Sequence, residues 1–109
     1  MKAIKYEKPW DVACVEMDKP VRKKGEALIK IMTAGICGSD IGAFRGTNGL
    51  VSYPRVIGHE LAGIIEEIDE DNPKGFKVGD HVIVDPYLYC GHCYPCSIGR
   101  TNCCTDLHV

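Results

Sequence analysis

The segment that decides the fold is Glu26–Ala34, which reads EALIKIMTA. In an extended chain its side chains alternate, and one side is formed by Ala27, Ile29, Ile31 and Thr33. Because Leu28 and Met32 make the opposite side apolar as well, the pattern predicts a strand that is largely buried.

Further short strands are predicted at Met1–Tyr6, Val12–Met17, Leu61–Ile68 and Val78–Val84. The periodicity of Leu61–Ile68 fits a helix or a strand, but its β-branched residues and glycines favour a strand. One or two helical turns are expected at Ser39–Phe44, with Ser39 or Asp40 as the N-cap. The basic, polar segment Lys19–Gly25 predicts a solvated loop. Short strands with glycine-rich turns indicate a mainly β, barrel-like domain.

Composition narrows the classes of function. The chain has 109 residues, enough for one domain, with 26% charged residues and a net charge of −2. A near-neutral balance argues against nucleic acid or an anionic membrane as a partner. No apolar run approaches the roughly 18 residues that span a bilayer, and the first residues have no signal-peptide pattern. We therefore expect a cytoplasmic protein without a membrane partner.

Seven cysteines stand out, and in a reducing compartment such a number predicts metal binding. Cys90, Cys93 and Cys96 are separated by two-residue gaps, and Cys103 and Cys104 follow. Two-residue gaps allow successive thiolates to turn toward one centre. Four thiolates fill a tetrahedral zinc and leave no place for water, which predicts a structural site.

Alternatives to this zinc site are a pair of disulfides and an iron–sulfur cluster. Cys103 competes with Cys104 as the fourth ligand, and adjacent residues rarely both face one metal. His92 is expected to be exposed rather than a ligand. Cys14, in an apolar strand, is expected to be a small core residue.

A second constellation comprises Cys37, His59 and Glu60. Cys37 lies at the end of one predicted strand, and Gly58-His59-Glu60 comes directly before another. A thiolate, an imidazole and a carboxylate are the ligand types of an open zinc site. Asp40 is of the right type to accept the second ring N–H of His59 and to fix its tautomer.

Together these motifs resemble the zinc-dependent medium-chain alcohol dehydrogenases. The resemblance rests on Gly35-x-Cys37-Gly38-Ser39-Asp40, on Tyr53-Pro54-x-x-x-Gly58-His59-Glu60, on Val78-Gly79-Asp80-x-Val82 and on the cysteine loop, in that order. It covers all 109 residues and is closest to the polyol and sugar-acid branch of the family.

The resemblance implies a GroES-like, partly open β-barrel with short helices and a zinc-knuckle lobe at about residues 86–105. Residues 1–109 would be the N-terminal part of the catalytic domain, with the Rossmann domain outside this chain. The structural zinc would be held by Cys90, Cys93, Cys96 and Cys104, so Cys103 would be a bystander.

The resemblance also implies the catalytic residues. Cys37 and His59 would hold the catalytic zinc, with Glu60 as a nearby carboxylate that can bind the metal directly. Ser39 would hydrogen-bond the substrate hydroxyl and begin the proton relay. Many relatives have a histidine five positions after the zinc cysteine, where this chain has Gly42.

The implied activity is reversible oxidation of an alcohol or polyol by NAD or NADP, in an enzyme that forms homo-oligomers. A different class of function is a zinc-stabilised β module that binds a partner without catalysis. The two hypotheses differ in the second metal, because a binding module has no use for ligands at Cys37 and His59.

Overall fold

The computed structural model describes residues 1–108, which form two antiparallel three-stranded sheets and short helices. The first sheet has the order β2-β1-β4 and consists of β1 (Lys2–Lys8), β2 (Asp11–Glu16) and β4 (Arg55–Val56). The second has the order β3-β5-β6 and consists of β3 (Leu28–Ala34), β5 (Leu61–Glu67) and β6 (His81–Ile83). The helices are α1 (Gly38–Arg45), α2 (Tyr94–Ser97) and a 3₁₀ turn (Thr101–Cys103). The prediction of a mainly β protein is confirmed.

The turn between β1 and β2 packs against the end of α1. Trp10, which has a positive φ of 65°, donates its backbone N–H to the carbonyl oxygen of Phe44 over 2.7 Å. The rings of Trp10 and Phe44 meet edge to face with centroids 5.1 Å apart. Tyr6, which is buried, approaches the same Phe44 ring at 5.8 Å. These contacts attach the first sheet to α1.

A glycine controls the closest approach within the second sheet. Gly63 of β5 lies opposite Ile31 of β3. A Cβ at Gly63 would lie 2.4 Å from the carbonyl oxygen of Lys30 and 2.6 Å from Cγ2 of Ile29. Only a residue without a side chain permits this spacing.

Two predictions about burial are wrong. The strand at Glu26–Ala34 is buried only at Leu28, whereas Ile31 and Met32 are 45% and 59% exposed. Cys14 is exposed on β2 rather than part of the core. In both cases the reason is that β3 and β2 lie at sheet edges, and no second layer within residues 1–108 covers these faces.

The other local predictions need smaller corrections. The strand predicted at Val78–Val84 is only His81–Ile83, because Val78 and Gly79 form a turn, closed by the N–H of Asp80 donating to the carbonyl oxygen of Lys77 over 3.1 Å. The loop at Lys19–Gly25 is confirmed. It is held to the segment that follows β5 by an ion pair of 2.5 Å between Arg22 Nη1 and Asp69 Oδ1.

The described chain exposes more surface than a compact protein of its mass. Its accessible surface is 8270 Å², whereas about 6000 Å² is expected for a compact monomer of this size. The radius of gyration is 16.0 Å, against about 13 Å for a compact domain of this length. No helix within residues 1–108 is long and apolar enough to cross a membrane.

We predict that Gly63→Ala lowers the free energy of unfolding by about 1–3 kcal/mol, because the new methyl group meets the backbone of β3. Denaturant unfolding of the purified protein measures the change. Gly49→Ala is the matched control, since a Cβ there meets nothing within 4 Å. Equal stability of the two variants would contradict the close approach.

The carboxylate of Asp69 should make stability depend on pH. The backbone N–H of Gly25, at 2.6 Å, and the Arg22 guanidinium hold the pKa of Asp69 below its ordinary value of 3.8. The stabilisation is therefore complete above that ordinary value and is lost as the pH falls through the lowered pKa.

We expect Asp69→Asn to be less stable than the parent at pH 7, with a difference that shrinks below about pH 4. Unfolding curves across this pH range test it. Asp71→Asn removes the same charge two residues further on, at an exposed position, and should leave the curve nearly unchanged. A difference for Asp69→Asn that persists undiminished at low pH would refute the role of the carboxylate.

Candidate metal centres

Cys37 sits where the chain turns from β3 into α1, and it is the N-cap of that helix. The backbone N–H of Ser39 donates to its Sγ over 3.3 Å. In return, Oδ2 of Asp40 accepts the backbone N–H of Cys37 over 2.9 Å, which completes a capping box. The prediction of Ser39 or Asp40 as the N-cap is therefore wrong, because the helix begins earlier and the thiol caps it.

His59 comes from the segment that joins β4 in one sheet to β5 in the other. Its Nε2 lies 3.2 Å from Sγ of Cys37. Its Nδ1 lies 3.5 Å from Oδ1 of Asp40, a residue that is only 5% exposed. With a proton on Nδ1 facing the carboxylate, the lone pair of Nε2 faces the thiol. The structure thus places Asp40 beside His59, as predicted.

The hydroxyl of Ser39 joins the same cluster. Its Oγ lies 2.7 Å from Sγ of Cys37 and 3.5 Å from Nε2 of His59. Three of the four predicted catalytic side chains therefore converge on one point, although Cys37 and His59 are 22 positions apart in the sequence.

Glu60 is placed differently from the other three. Its carboxylate lies over Gly35, where an added Cβ would come within 2.5 Å of Oε2. The ligand atoms that lie within 4.8 Å of one another belong to Cys37, Asp40 and His59. Sequence analysis predicted Asp40 as a support of His59 but did not count it among the possible ligands of this group. The capping-box spacing of Cys37 and Asp40 was the signal that could have found it.

The donor set of this cluster fits a zinc ion. Zinc binds thiolate sulfur at about 2.3 Å and imidazole nitrogen at about 2.0–2.1 Å, so a tetrahedral angle separates the two atoms by about 3.6 Å. The observed separation of 3.2 Å between Cys37 and His59 requires only a small opening. Among the described residues, the possible ligand atoms at this centre belong to Cys37, Asp40 and His59.

The second cluster lies in the cysteine loop. Its four Sγ atoms, all within 4.8 Å of one another, belong to Cys90, Cys93, Cys96 and Cys104. Cys93 and Cys104 are 3.9 Å apart, close to the roughly 3.8 Å between two sulfurs on a tetrahedral zinc. Cys103 is exposed and outside the cluster. No disulfide joins any of the seven cysteines, all of which lie within the described residues.

Helix α2 and the 3₁₀ turn orient these thiols toward one another. Cys93 is the N-cap of α2, which contains Cys96, and Cys104 follows the 3₁₀ turn. Backbone N–H groups point at the sulfurs: that of Cys90 donates to Cys104 over 3.3 Å, and that of Cys93 donates to Cys90 over 3.4 Å. His92 is exposed, as predicted, and its Nδ1 lies 2.9 Å from the carbonyl oxygen of Cys90.

The thiols of this cluster differ in pKa. Backbone N–H groups of Thr105 and Cys96 lower the pKa of Cys93 to about 6. Burial, together with hydrogen bonding to Cys93, raises the pKa of Cys96 to about 12. The loop therefore stabilises one thiolate by itself, whereas four together require a cation.

Comparisons with known proteins point to one family. The profile of the alcohol dehydrogenase GroES-like domain family matches residues 23–109. A zinc-type alcohol dehydrogenase-like protein of Haemophilus influenzae is 55% identical over all 109 residues, which make up 32% of its length. The L-galactonate-5-dehydrogenase of Escherichia coli is 40% identical over the same span and share.

A solved structure shows the same fold. The rspB alcohol dehydrogenase of Escherichia coli CFT073, in complex with NADH, matches with a TM-score of 0.86 and 49% identity. The match covers 100% of this chain and 31% of that one, so the chain spans about a third of the length of its relatives. The predicted GroES-like fold is confirmed, and the chain belongs to the alcohol dehydrogenase GroES-like domain family.

Proposed function

We propose that the chain is the N-terminal part of the catalytic domain of a zinc-dependent alcohol or polyol dehydrogenase that uses NAD or NADP. The observation that carries this proposal is the convergence of Cys37 Sγ, His59 Nε2 and Ser39 Oγ, with the Asp40 carboxylate behind the imidazole. A soft thiolate, a neutral imidazole and a hydroxyl are the groups that an alcohol-binding zinc centre needs.

In this proposal Cys37 and His59 hold the catalytic zinc, and Glu60 remains a predicted carboxylate ligand. Glu60 directly follows His59 in the chain, which supports this role, although its carboxylate lies over Gly35. If the Glu60 side chain moves away from Gly35 toward the metal, its carboxylate can replace a displaced water as a ligand. The remaining ligand comes from residues beyond this chain.

The chain's own groups then handle the proton. When bound, zinc lowers the pKa of a coordinated alcohol, and the nicotinamide serves as the hydride acceptor. Ser39 Oγ, 2.7 Å from the thiol ligand and exposed, is positioned to accept the proton of the substrate hydroxyl and to release its own proton to solvent water. Asp40 holds the proton of His59 on Nδ1, so that Nε2 keeps its lone pair for the metal.

The four-thiol cluster has another task in this proposal. Cys90, Cys93, Cys96 and Cys104 hold a structural zinc that is closed to water. The lobe at about residues 86–105 contains only a four-residue helix and a 3₁₀ turn, and none of its residues is fully buried. Zinc binding, worth roughly 10–16 kcal/mol in small zinc peptides, offsets the entropy of ordering this lobe.

The coverage of the relatives and the large accessible surface of this chain both indicate further parts of the enzyme. The chain matches about a third of their length, and its accessible surface exceeds that of a compact domain. We propose that the exposed sheet faces pack against the remainder of the catalytic domain, and that a separate Rossmann domain binds the cofactor.

The proposed setting is equally specific. The substrate is a small alcohol or polyol, the assembly is a homo-oligomer and the compartment is the cytoplasm. Seven free thiols support a reducing compartment. A binding module without catalysis accounts for the lobe, but it leaves the cluster at Cys37 and His59 without a role.

We predict that Cys37→Ser in the full-length enzyme removes one zinc per chain and lowers kcat by several orders of magnitude, while the four-thiol site keeps its metal. Metal analysis and steady-state kinetics measure both effects. Cys14→Ser is the control, because this exposed thiol belongs to neither cluster. Unchanged turnover in Cys37→Ser would refute the catalytic centre.

The fourth ligand of the lobe can be tested with neighbouring residues. Cys104→Ser should release the structural zinc and expose the lobe to proteolysis, because a cluster of three thiols no longer closes the site. Cys103→Ser should keep the zinc, since its thiol is exposed and outside the cluster. Equal zinc loss in both variants would reverse the assignment.

A further inference from the structure

Gly35 lies where the second sheet leads into the candidate catalytic centre. It follows β3 directly and precedes Cys37 by two positions. Its backbone N–H donates to the carbonyl oxygen of Glu60 over 2.8 Å, one step beyond the pair of Ala34 and Leu61 that ends the ladder between β3 and β5. The backbones of Gly35 and Glu60 are therefore held side by side.

The side chain of Glu60 occupies the space that a side chain at position 35 would fill. A Cβ added to Gly35 would lie 2.5 Å from Oε2 of Glu60, 3.1 Å from its Cβ and 3.5 Å from its Cδ. No hydrogen bond or ion pair within residues 1–108 holds this carboxylate. Its position over Gly35 therefore depends on the free space there and not on a polar partner.

The backbone at Gly35 does not by itself require glycine. The glycines with positive φ within residues 1–108 lie elsewhere in the chain, so alanine can adopt the conformation found at position 35. A side chain at this position would collide with the mobile end of Glu60 while the backbone pair stays in place. The need for glycine here comes from the carboxylate.

A carboxylate displaced from Gly35 has a second place to go. Glu60 directly follows His59, and Nε2 of His59 lies 3.2 Å from Sγ of Cys37. In its present position the carboxylate is outside the group of ligand atoms that lie within 4.8 Å of one another. Because Glu60 is exposed, its side chain can change rotamer, and a zinc ion with an open position attracts a neighbouring carboxylate as a ligand.

We propose that Gly35 is a positioning residue, which keeps the Glu60 carboxylate in a resting position away from the metal and so leaves a coordination position free for the substrate. The inference rests on the proposed function, in which Cys37 and His59 hold a catalytic zinc. With a side chain at position 35 the resting position is filled, and Glu60 competes with the substrate for the metal. Gly35 thereby sets the balance between carboxylate and substrate.

The test measures how fast the chelator dipicolinate removes zinc from the full-length zinc-loaded enzyme. Gly35→Ala should slow the loss of the catalytic zinc about tenfold, because the displaced carboxylate adds a ligand. The zinc that remains in Cys37→Ser identifies the phase that belongs to the four-thiol site. Steady-state kinetics of Gly35→Ala should show a higher KM for the alcohol with little change in kcat, since the substrate has to displace the carboxylate.

Two variants separate the carboxylate from the added methyl group. The double variant Gly35→Ala with Glu60→Gln keeps the methyl group but replaces the carboxylate by an amide, so it should lose zinc as fast as Glu60→Gln alone. Gly38→Ala is the matched control, because it adds a methyl group next to Cys37 where a Cβ meets nothing within 4 Å. It should lose zinc at the rate of the parent.

A second measurement does not depend on the folding of Gly35→Ala. The resting position lies outside the ligand group, so Glu60→Gln in the parent background should leave the rate of zinc loss unchanged. Zinc loss several times faster than in the parent would show that Glu60 is already a ligand, and it would overturn the proposal.

The remaining outcomes separate the two proposals. Zinc loss in Gly35→Ala at least as fast as in Gly38→Ala would overturn the role of Gly35, and so would a slow loss that persists in the double variant. Both results leave the dehydrogenase standing when Cys37→Ser lacks one zinc per chain. Retention of both metals and full activity in Cys37→Ser would instead overturn the proposed function itself.

Discussion

The buried carboxylate of Asp40 joins the two halves of the candidate catalytic centre. One oxygen accepts the N–H of Cys37 and closes the cap of α1, and the other faces Nδ1 of His59 from the segment between the sheets. A charge that is 5% exposed is costly unless polar groups compensate it, and here the helix N-terminus and the imidazole do so. Helix α1, the linking segment and the two ligand atoms are therefore held in place by one group.

The two clusters suit one metal, zinc, to two different roles, one structural and one catalytic. In the lobe, four thiols surround one point, and backbone N–H groups donate to their sulfurs. A metal bound there would have no free coordination position, and it would stabilise the lobe in place of an apolar core. At Cys37 one thiol and one imidazole meet beside a hydroxyl, and in the proposed function a metal there would keep a coordination position for a reacting molecule. The two clusters therefore differ both in the number of thiols and in the other ligand types present.

The exposed sheet faces arise where a covering layer is missing within residues 1–108. Strands β3 and β2 each pair along one edge only, and many of their side chains are open to solvent. In the proposed enzyme, these faces provide the surface on which the rest of the catalytic domain packs.

Local pattern alone determined the β class, most strand positions, the loop at Lys19–Gly25 and the first three thiols of the lobe, because strand periodicity and cysteine spacing are short-range signals. The choice of Cys104 over Cys103, and the roles of Cys37 and His59, came from the resemblance to a family. Burial was misjudged at Ile31 and Cys14, since an apolar alternation does not reveal whether another layer lies above it. Only the tertiary structure showed Cys37 as a helix cap, Asp40 between the two ligands and Glu60 over Gly35. These relations depend on how the sheets, the helix and the loops meet in space, and distance along the chain carries no information about that meeting.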